Sequence, residues 1–122
     1  MVKLSFVLRR LPTLSRAEFQ SYWRETHAAL VAQHAQALRI KRYVQTHTLN
    51  HPANEALRSG RGGPAEYDGV AELWWESIEA FAEAAGTAEG IAAGKALLED
   101  ERRFIDLEHS PIWLSEEHEV LG

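Results

Sequence analysis

The chain contains no cysteine, and this absence removes several kinds of chemistry at once. Disulfide cross-links, thiolate nucleophiles and thiolate metal ligands are all excluded. Long hydrophobic runs are also missing, so the sequence predicts no membrane-spanning helix and no membrane partner. The short apolar stretch at the N-terminus lacks the small-residue cleavage site of a signal peptide, and we therefore expect a cytoplasmic protein.

Basic residues are fewer than acidic ones. The chain has 13 Lys and Arg against 18 Asp and Glu, which gives a formal net charge of −5 with histidines neutral. Because such a surface repels phosphates, we expect no nucleic-acid partner. The H-E-x-x-H metal motif, a nucleotide-binding glycine loop with its lysine, and the G-x-S-x-G nucleophile elbow are absent as well. The sequence therefore predicts no metal site, no cofactor and no serine-hydrolase chemistry.

What the chain does contain is enough apolar material for one core. Its 122 residues suit a single domain spanning 1–122, and 45% of them are hydrophobic. Four tryptophans are many for this length. Their large faces need a partner element, a ligand or a second subunit.

The alternation of apolar and polar residues predicts a β-α-β-β-α-β order. A helix begins after Ser15, which forms a capping box with Glu18, and bends near Thr26 or His27. The predicted elements are a strand at Val2–Leu8, a helix at 15–38, a strand at 40–48, a loop at 49–66 with a helical turn at 53–58, a strand at 67–76, a helix after Ser77 that Gly86 interrupts, a helix at 88–105 and a strand from Pro111 onward.

This order predicts an α+β, ferredoxin-like fold with a four-stranded antiparallel sheet and helices on one face. The other face of the sheet is too apolar to be exposed to solvent and too polar to be buried in an ordinary hydrophobic core. We assign to it Ser5, Val7, Arg9, Tyr43, Gln45, Glu72 and Trp74. Such a face predicts a homodimer in which two sheets pack together and enclose a space lined by mixed side chains.

The first helix carries an unusual stripe. Aromatic, aliphatic and imidazole groups recur on one face at helical spacing: Phe19, Tyr22, Trp23, His27, Leu30, Val31, His34 and Leu38. A half-buried His27 would suit a general acid or base, and Tyr22 could donate a hydrogen bond to a substrate carbonyl. The alternatives are a core histidine bonded to a backbone carbonyl and a tyrosine that only packs.

His118, in the last predicted strand, is a second candidate for proton transfer, and a structural strand histidine is its alternative. We expect Trp23, Tyr43, Trp74 and Glu72 to line the ligand site. Trp74 would be a platform for a flat ligand, and Glu72 a carboxylate of raised pKa, with an ion pair as the plainer reading. The charged run 100–103 predicts a solvated helix end held by salt bridges.

Four segments resemble the EthD family. They are Phe19, Tyr22 and Trp23 followed by His27-Ala28, then YDGVAELWW at 67–75, then Asp100-Glu101 with Phe104-Ile105-Asp106, and finally Glu116-Glu117-His118. The resemblance implies the dimeric α/β barrel of that family. It also implies a role near ether, aromatic or polyketide metabolism, where members are described as oxidoreductase-associated and some relatives look like dehydratases or decarboxylases.

Taken together, the sequence predicts an EthD-like enzyme that acts on a small, apolar, aromatic or cyclic carbonyl compound by cofactor-free acid/base chemistry. Isomerisation, dehydration, decarboxylation and cofactor-free oxygenation all fit. The alternative is a non-catalytic binding or accessory protein for a neighbouring oxygenase. A haem-binding barrel is a third reading, and it would need a histidine ligand for the iron.

Overall fold

Four strands form one antiparallel sheet in the computed structural model, which describes all residues 1–122. The strands are β1 (Val2–Leu8), β2 (Arg42–His47), β3 (Gly69–Trp75) and β4 (Ile112–Glu116), in the spatial order β2-β3-β1-β4. The helices are α1 (Arg16–Tyr22), α2 (Ala28–Leu38), α3 (Pro52–Ser59), α4 (Ile78–Gly86) and α5 (Ala88–Glu101). The predicted element order and the ferredoxin-like fold are confirmed.

Local sequence signals explain where the first helix begins and where it changes pitch. The Ser15 hydroxyl accepts from the Glu18 backbone N–H at 3.1 Å, and the Glu18 carboxylate accepts from the Ser15 N–H at 2.9 Å. This is the predicted capping box. A π-helical turn, Trp23–His27, separates α1 from α2 at the predicted bend. The carbonyl of Trp23 there accepts from the Ala28 N–H and, at 2.9 Å, from the Gln45 side chain.

The core lies between the helices and one face of the sheet. Phe19, Trp23 and Phe104 are fully buried against the β1 residues Phe6 and Leu8. At Gly69 the sheet approaches Trp23 so closely that a Cβ would lie 2.8 Å from the indole Cη2 and 2.8 Å from the Thr46 carbonyl. Glycine is therefore required at this point of β3. None of the helices has the length and apolar composition to cross a membrane.

The strand register defines the opposite, open face of the sheet. Its residues are Lys3, Ser5, Val7, Arg42, Val44, Thr46, Val70, Glu72, Trp74, Trp113 and Ser115. The predicted placement of Tyr43 and Gln45 on this face is wrong, because they pair with Leu73 and Ala71 and lie on the helix-covered face. A strand with polar residues on both sides does not specify its own register, and a shift of one residue exchanges the faces.

A buried carboxylate fixes the helices to the sheet. Asp68 is 2% exposed and accepts from the Arg10 N–H at 2.8 Å, from Arg10 Nη1 at 2.6 Å and from Arg16 Nε at 3.0 Å. Burial raises the pKa of Asp68, but the hydrogen bonds from both arginines outweigh it and lower the pKa. Arg16 also binds Asn50 and Glu66, and so holds both ends of the segment that contains α3.

Candidate functional site

A small cavity of about 50 Å³ lies between the sheet and the π-helical turn. Its lining is Phe6, Leu8, Trp23, His27, Val31, Tyr43, Ala71, Leu73, Leu97, Glu101 and Ile105. Four of these are half-buried and mark the opening, namely Tyr43, Leu73, Leu97 and Glu101. The cavity has room for about two waters, so a ligand of several carbon atoms has to displace side chains at that opening.

His27 is the side chain of this lining whose hydrogen bonding suits proton transfer. The ring is 5% exposed, and its Nδ1 lies 2.7 Å from the Asp100 carboxylate. Every fully buried polar side-chain atom has a hydrogen-bond partner. Nε2 of His27 has no hydrogen-bond partner and is therefore not fully buried, and the His27 side chain is part of the cavity lining.

Asp100 is the centre of a buried hydrogen-bond cluster. It is 3% exposed and accepts from the Tyr22 hydroxyl at 2.5 Å and from Arg103 Nη1 at 3.1 Å, besides its bond with His27. Burial raises the pKa of Asp100, but these three partners outweigh it and lower the pKa. The carboxylate is therefore ionised and fixed in place.

The electrostatics favour a neutral His27 whose Nδ1 carries the proton. Burial lowers the pKa of His27, and the opposing pull of Asp100 is smaller. Because the ionised Asp100 can only accept, Nδ1 is the donor and Nε2 keeps its lone pair. The arrangement places a neutral imidazole base against an apolar cavity.

Glu101 supplies the second ionisable group of the cavity wall. Burial and the neighbouring Asp100 raise the pKa of Glu101 from 4.5 to about 7. No hydrogen bond or ion pair contributes to that value. A half-buried carboxyl without a partner is uncommon, because burial of a charge is costly unless it is paired.

A row of side chains on β2 completes the polar part of the site. The Gln45 side chain donates to the Tyr43 hydroxyl at 2.7 Å, and its carbonyl oxygen lies 2.8 Å from His47 Nε2. The His47 ring stacks on Trp23 with ring centroids 4.4 Å apart. Burial raises the pKa of Tyr43 and lowers that of His47. Tyr43 thus reaches the cavity as a neutral phenol.

The structure brings some of the predicted site residues together and separates others. His27, Trp23 and Tyr43 line the cavity. Tyr22 does not line it, and its hydroxyl is taken up by Asp100. His118 lies beyond the end of β4, exposed and away from this cavity, so its predicted place within the last strand is wrong.

Glu72 and Trp74 lie on the open face, on the other side of the sheet from the cavity. Glu72 is paired with Lys3, as the plainer reading had it. Trp74 is 5% exposed, because Lys3 and Arg42 lie over its ring and Glu117 accepts from its indole N–H. Its ring is therefore already covered within the protomer and is no bare platform for a flat ligand.

Sequence reasoning missed Asp100 and Glu101 as site residues. The prediction of a solvated helix end for 100–103 holds for Arg102 and Arg103, which are exposed, and is wrong for Asp100, which is buried. The available signal was helical spacing: Asp100 lies three residues after Leu97 and four before Phe104, on the apolar side of the helix end. No group of three or more His, Asp or Glu side chains could hold a metal ion.

Comparisons with known proteins agree with this architecture. A family model described as the EthD domain matches residues 11–108. An EthD family protein from Bacillus halodurans is 23% identical, with a TM-score of 0.63 over 97% of this chain and 99% of that one. No curated protein matches the sequence.

Two further solved structures share the fold. SnoaB from Streptomyces nogalater, a cofactor-independent oxygenase solved in a mutant form, is 19% identical, with a TM-score of 0.53 over 98% of this chain and 96% of that one. A dimeric ferredoxin-like protein of unknown function from Thermobifida fusca is 11% identical, with a TM-score of 0.57 over 93% and 88% of the two chains.

The raised pKa of Glu101 predicts that this side chain destabilises the fold at neutral and alkaline pH. Glu101→Gln should raise the free energy of unfolding by about 2 to 3 kcal/mol above pH 7, since a carboxyl whose folded pKa is about 7 costs stability when it ionises. The gain should shrink as the pH falls from 7 to 4.5 and vanish below 4.5. Urea unfolding at several pH values measures it.

The matched control is Glu99→Gln, an exposed position two residues earlier in α5. It should change stability by less than about 0.5 kcal/mol at every pH. A Glu101→Gln protein that is less stable than the wild type at pH 8 would contradict the assigned environment of Glu101.

Proposed function

The chain belongs to the EthD family, and from this premise we propose that it is an enzyme that moves protons on a small, neutral, largely apolar carbonyl compound without a metal or nucleotide cofactor. One observation carries the proposal. His27 is held at Nδ1 by a buried, ionised Asp100, and its side chain lines an apolar cavity.

His27 is the general base in this proposal. Nε2 takes a proton from the carbon next to the substrate carbonyl, and Asp100 stabilises the imidazolium that forms. The lowered pKa of His27 keeps the imidazole free of a proton before the reaction. Tyr22 and Arg103 are positioning residues, because both bind Asp100 and neither lines the cavity.

The enolate produced by this step leads to several outcomes. Return of the proton at another carbon is an isomerisation, and loss of a neighbouring hydroxyl is a dehydration. With an electron-rich ring as substrate, the carbanion can instead react with dioxygen. That SnoaB, a protein of this fold, is a cofactor-independent oxygenase supports the capacity of the fold for such chemistry.

The charge of the cavity restricts the substrate. Its wall holds Glu101 and, behind His27, the ionised Asp100, but no Lys or Arg. The guanidinium of Arg103 binds Asp100, and this side chain is largely exposed and does not line the cavity. An anionic substrate would meet the ionised Asp100 and, above pH 7, an ionised Glu101 as well, with no compensating cation, so we propose a neutral ligand.

Binding without chemistry is the second candidate, and the largely apolar lining of the cavity favours it. A volume of about 50 Å³ is far below the several hundred that enclose most bound organic ligands. An accessory protein that releases or carries a small apolar molecule needs no base. The experiment on His27 separates the two functions, because a carrier binds the probe without exchanging its hydrogens.

We propose further that the open face of the sheet is the interface of a homodimer. Trp113 is 50% exposed on β4, and Val7, Val44 and Val70 of the other three strands lie on the same face. Among the charged groups of this face, Lys3 and Glu72 pair with each other and Arg42 lies over the Trp74 ring. The dimeric ferredoxin-like neighbour supports this assembly.

The base is tested by hydrogen exchange into a neutral cyclic ketone. The wild type should speed the exchange of the α-hydrogens of cyclohexanone in D2O, followed by proton NMR. His27→Ala should slow the catalysed rate by about 100- to 10,000-fold, the usual contribution of a general base. His34→Ala, a half-buried histidine of α2 outside the cavity, is the control and should retain the rate.

Substrate charge is the second arm of this experiment. The anion 4-oxocyclohexanecarboxylate has the same ring and carbonyl, and its exchange should not be accelerated. Binding of cyclohexanone without any acceleration would favour the carrier function, and a His27→Ala protein as active as the wild type would refute the assignment of the base.

The dimer is tested by placing a charge at its proposed centre. Trp113→Glu should dissociate the protein to monomers, because two carboxylates would be buried across a symmetric interface. Ile91→Glu, at a similarly exposed apolar position on α5, should leave the dimer intact. Sedimentation equilibrium measures both variants, and a monomeric wild type would end the proposal.

A further inference from the structure

We propose that Glu101 is the acid partner of His27: its protonated carboxyl donates to the substrate carbonyl oxygen while His27 removes the proton from the neighbouring carbon. This inference rests on the proposed function and assigns a catalytic role to a side chain that the reaction, as described above, does not use.

The position of Glu101 is the first argument. It is the last residue of α5, and its side chain forms part of the cavity opening together with Tyr43, Leu73 and Leu97. Its neighbour Asp100 turns to the π-helical turn and binds His27. Two consecutive acidic residues are therefore associated with one cavity. Asp100 binds the imidazole of His27, and Glu101 is part of the cavity wall.

The absence of any partner is the second argument. The other buried or half-buried carboxylates are all paired: Asp68 with two arginines, Asp100 with Tyr22, His27 and Arg103, Glu66 with Arg16 and Arg58, Glu72 with Lys3, and Asp106 with His109. Glu101 alone has neither a hydrogen bond nor an ion pair. A group that destabilises the fold and makes no structural contact is typical of a functional site.

The surroundings of Glu101 place the pKa of its carboxyl in the neutral range. Asp100 adds to the effect of burial, and together they raise the pKa of Glu101 to about 7. The Tyr43 phenol on β2 and the neutral His27 on the π-helical turn border the same cavity, and neither adds a cation. Arg102 and Arg103 follow in the chain but are exposed, and Arg103 binds Asp100.

The step balances without any further reagent. The C–H bond beside the carbonyl breaks and an N–H bond forms at Nε2 of His27, while the O–H bond of Glu101 breaks and an O–H bond forms at the substrate oxygen. The product is the neutral enol, and the enzyme holds an imidazolium and a carboxylate. Return of a proton to the same carbon restores both groups and exchanges the hydrogen. Where the enol is conjugated with a C=C bond, return at the far end of that bond completes an isomerisation with no change of oxidation state.

This pairing sets a narrow pH window. The base is free only above the pKa of His27, which burial lowers below 6.5, and the acid is protonated only below the pKa of Glu101, about 7. Activity should therefore rise through the acidic limb of His27 and fall as the pH increases through about 7. The loss of activity on the alkaline side of the pH profile is due to the ionisation of Glu101.

The test compares Glu101→Gln with Glu99→Gln in the exchange of cyclohexanone hydrogens in D2O. Glutamine can donate a hydrogen bond but cannot transfer a proton, so kcat should fall about 10- to 100-fold with KM little changed. The alkaline limb near pH 7 should disappear, while the acidic limb remains. Glu99→Gln should retain the rate and both limbs.

The outcomes separate this inference from the proposed function. If Glu101→Gln keeps the wild-type rate and its alkaline limb while His27→Ala is inactive, the acid role is overturned and the base stands. If the wild type exchanges no faster than the uncatalysed reaction, both are overturned. A 13C NMR titration of the Glu101 carboxyl needs no variant: a midpoint near 7 supports the role, and one near 4.5 overturns it.

Discussion

The hydrogen bond between His27 and Asp100 is the contact on which the site depends. It joins the π-helical turn of the first half of the fold to the end of α5 in the second half, over 73 positions of sequence. Asp100 is buried and ionised, and loss of a hydrogen bond to such a charged group costs about 1.5 to 3 kcal/mol. The same bond fixes the imidazole tautomer, so in our account stability and chemistry share one interaction.

Two acidic side chains of the fold have contrasting environments: Asp68 is paired with arginines, and Glu101 has no partner. Asp68 is surrounded by arginines and holds α1 and the α3 segment to the sheet. Glu101, at the opening of the cavity, has no such partner, and its burial costs stability at neutral pH. The contrast between a compensated and an uncompensated carboxylate supports our proposal that the cavity is the functional part of the protomer.

The sequence was sufficient for the architecture because the signals were local. The alternation of apolar and polar residues predicted both ends of β1 correctly, and the capping box predicted where α1 begins. The site was only half predictable. His27 and Trp23 stood out on the helix, but β2 has polar residues on both sides, which left the faces of Tyr43 and Gln45 undetermined. Asp100 and Glu101 lie in a charged run, a pattern typical of solvated helix ends, and only long-range packing buries one and half-buries the other.

The most direct test of the central claim is the protonation state of His27, measured by 15N NMR of the imidazole nitrogens across the pH range. The account predicts a neutral ring at pH 7, with the proton on Nδ1, a lone pair on Nε2 and a pKa below 6.5. A ring that is charged at pH 7, or one whose single proton sits on Nε2, would contradict it.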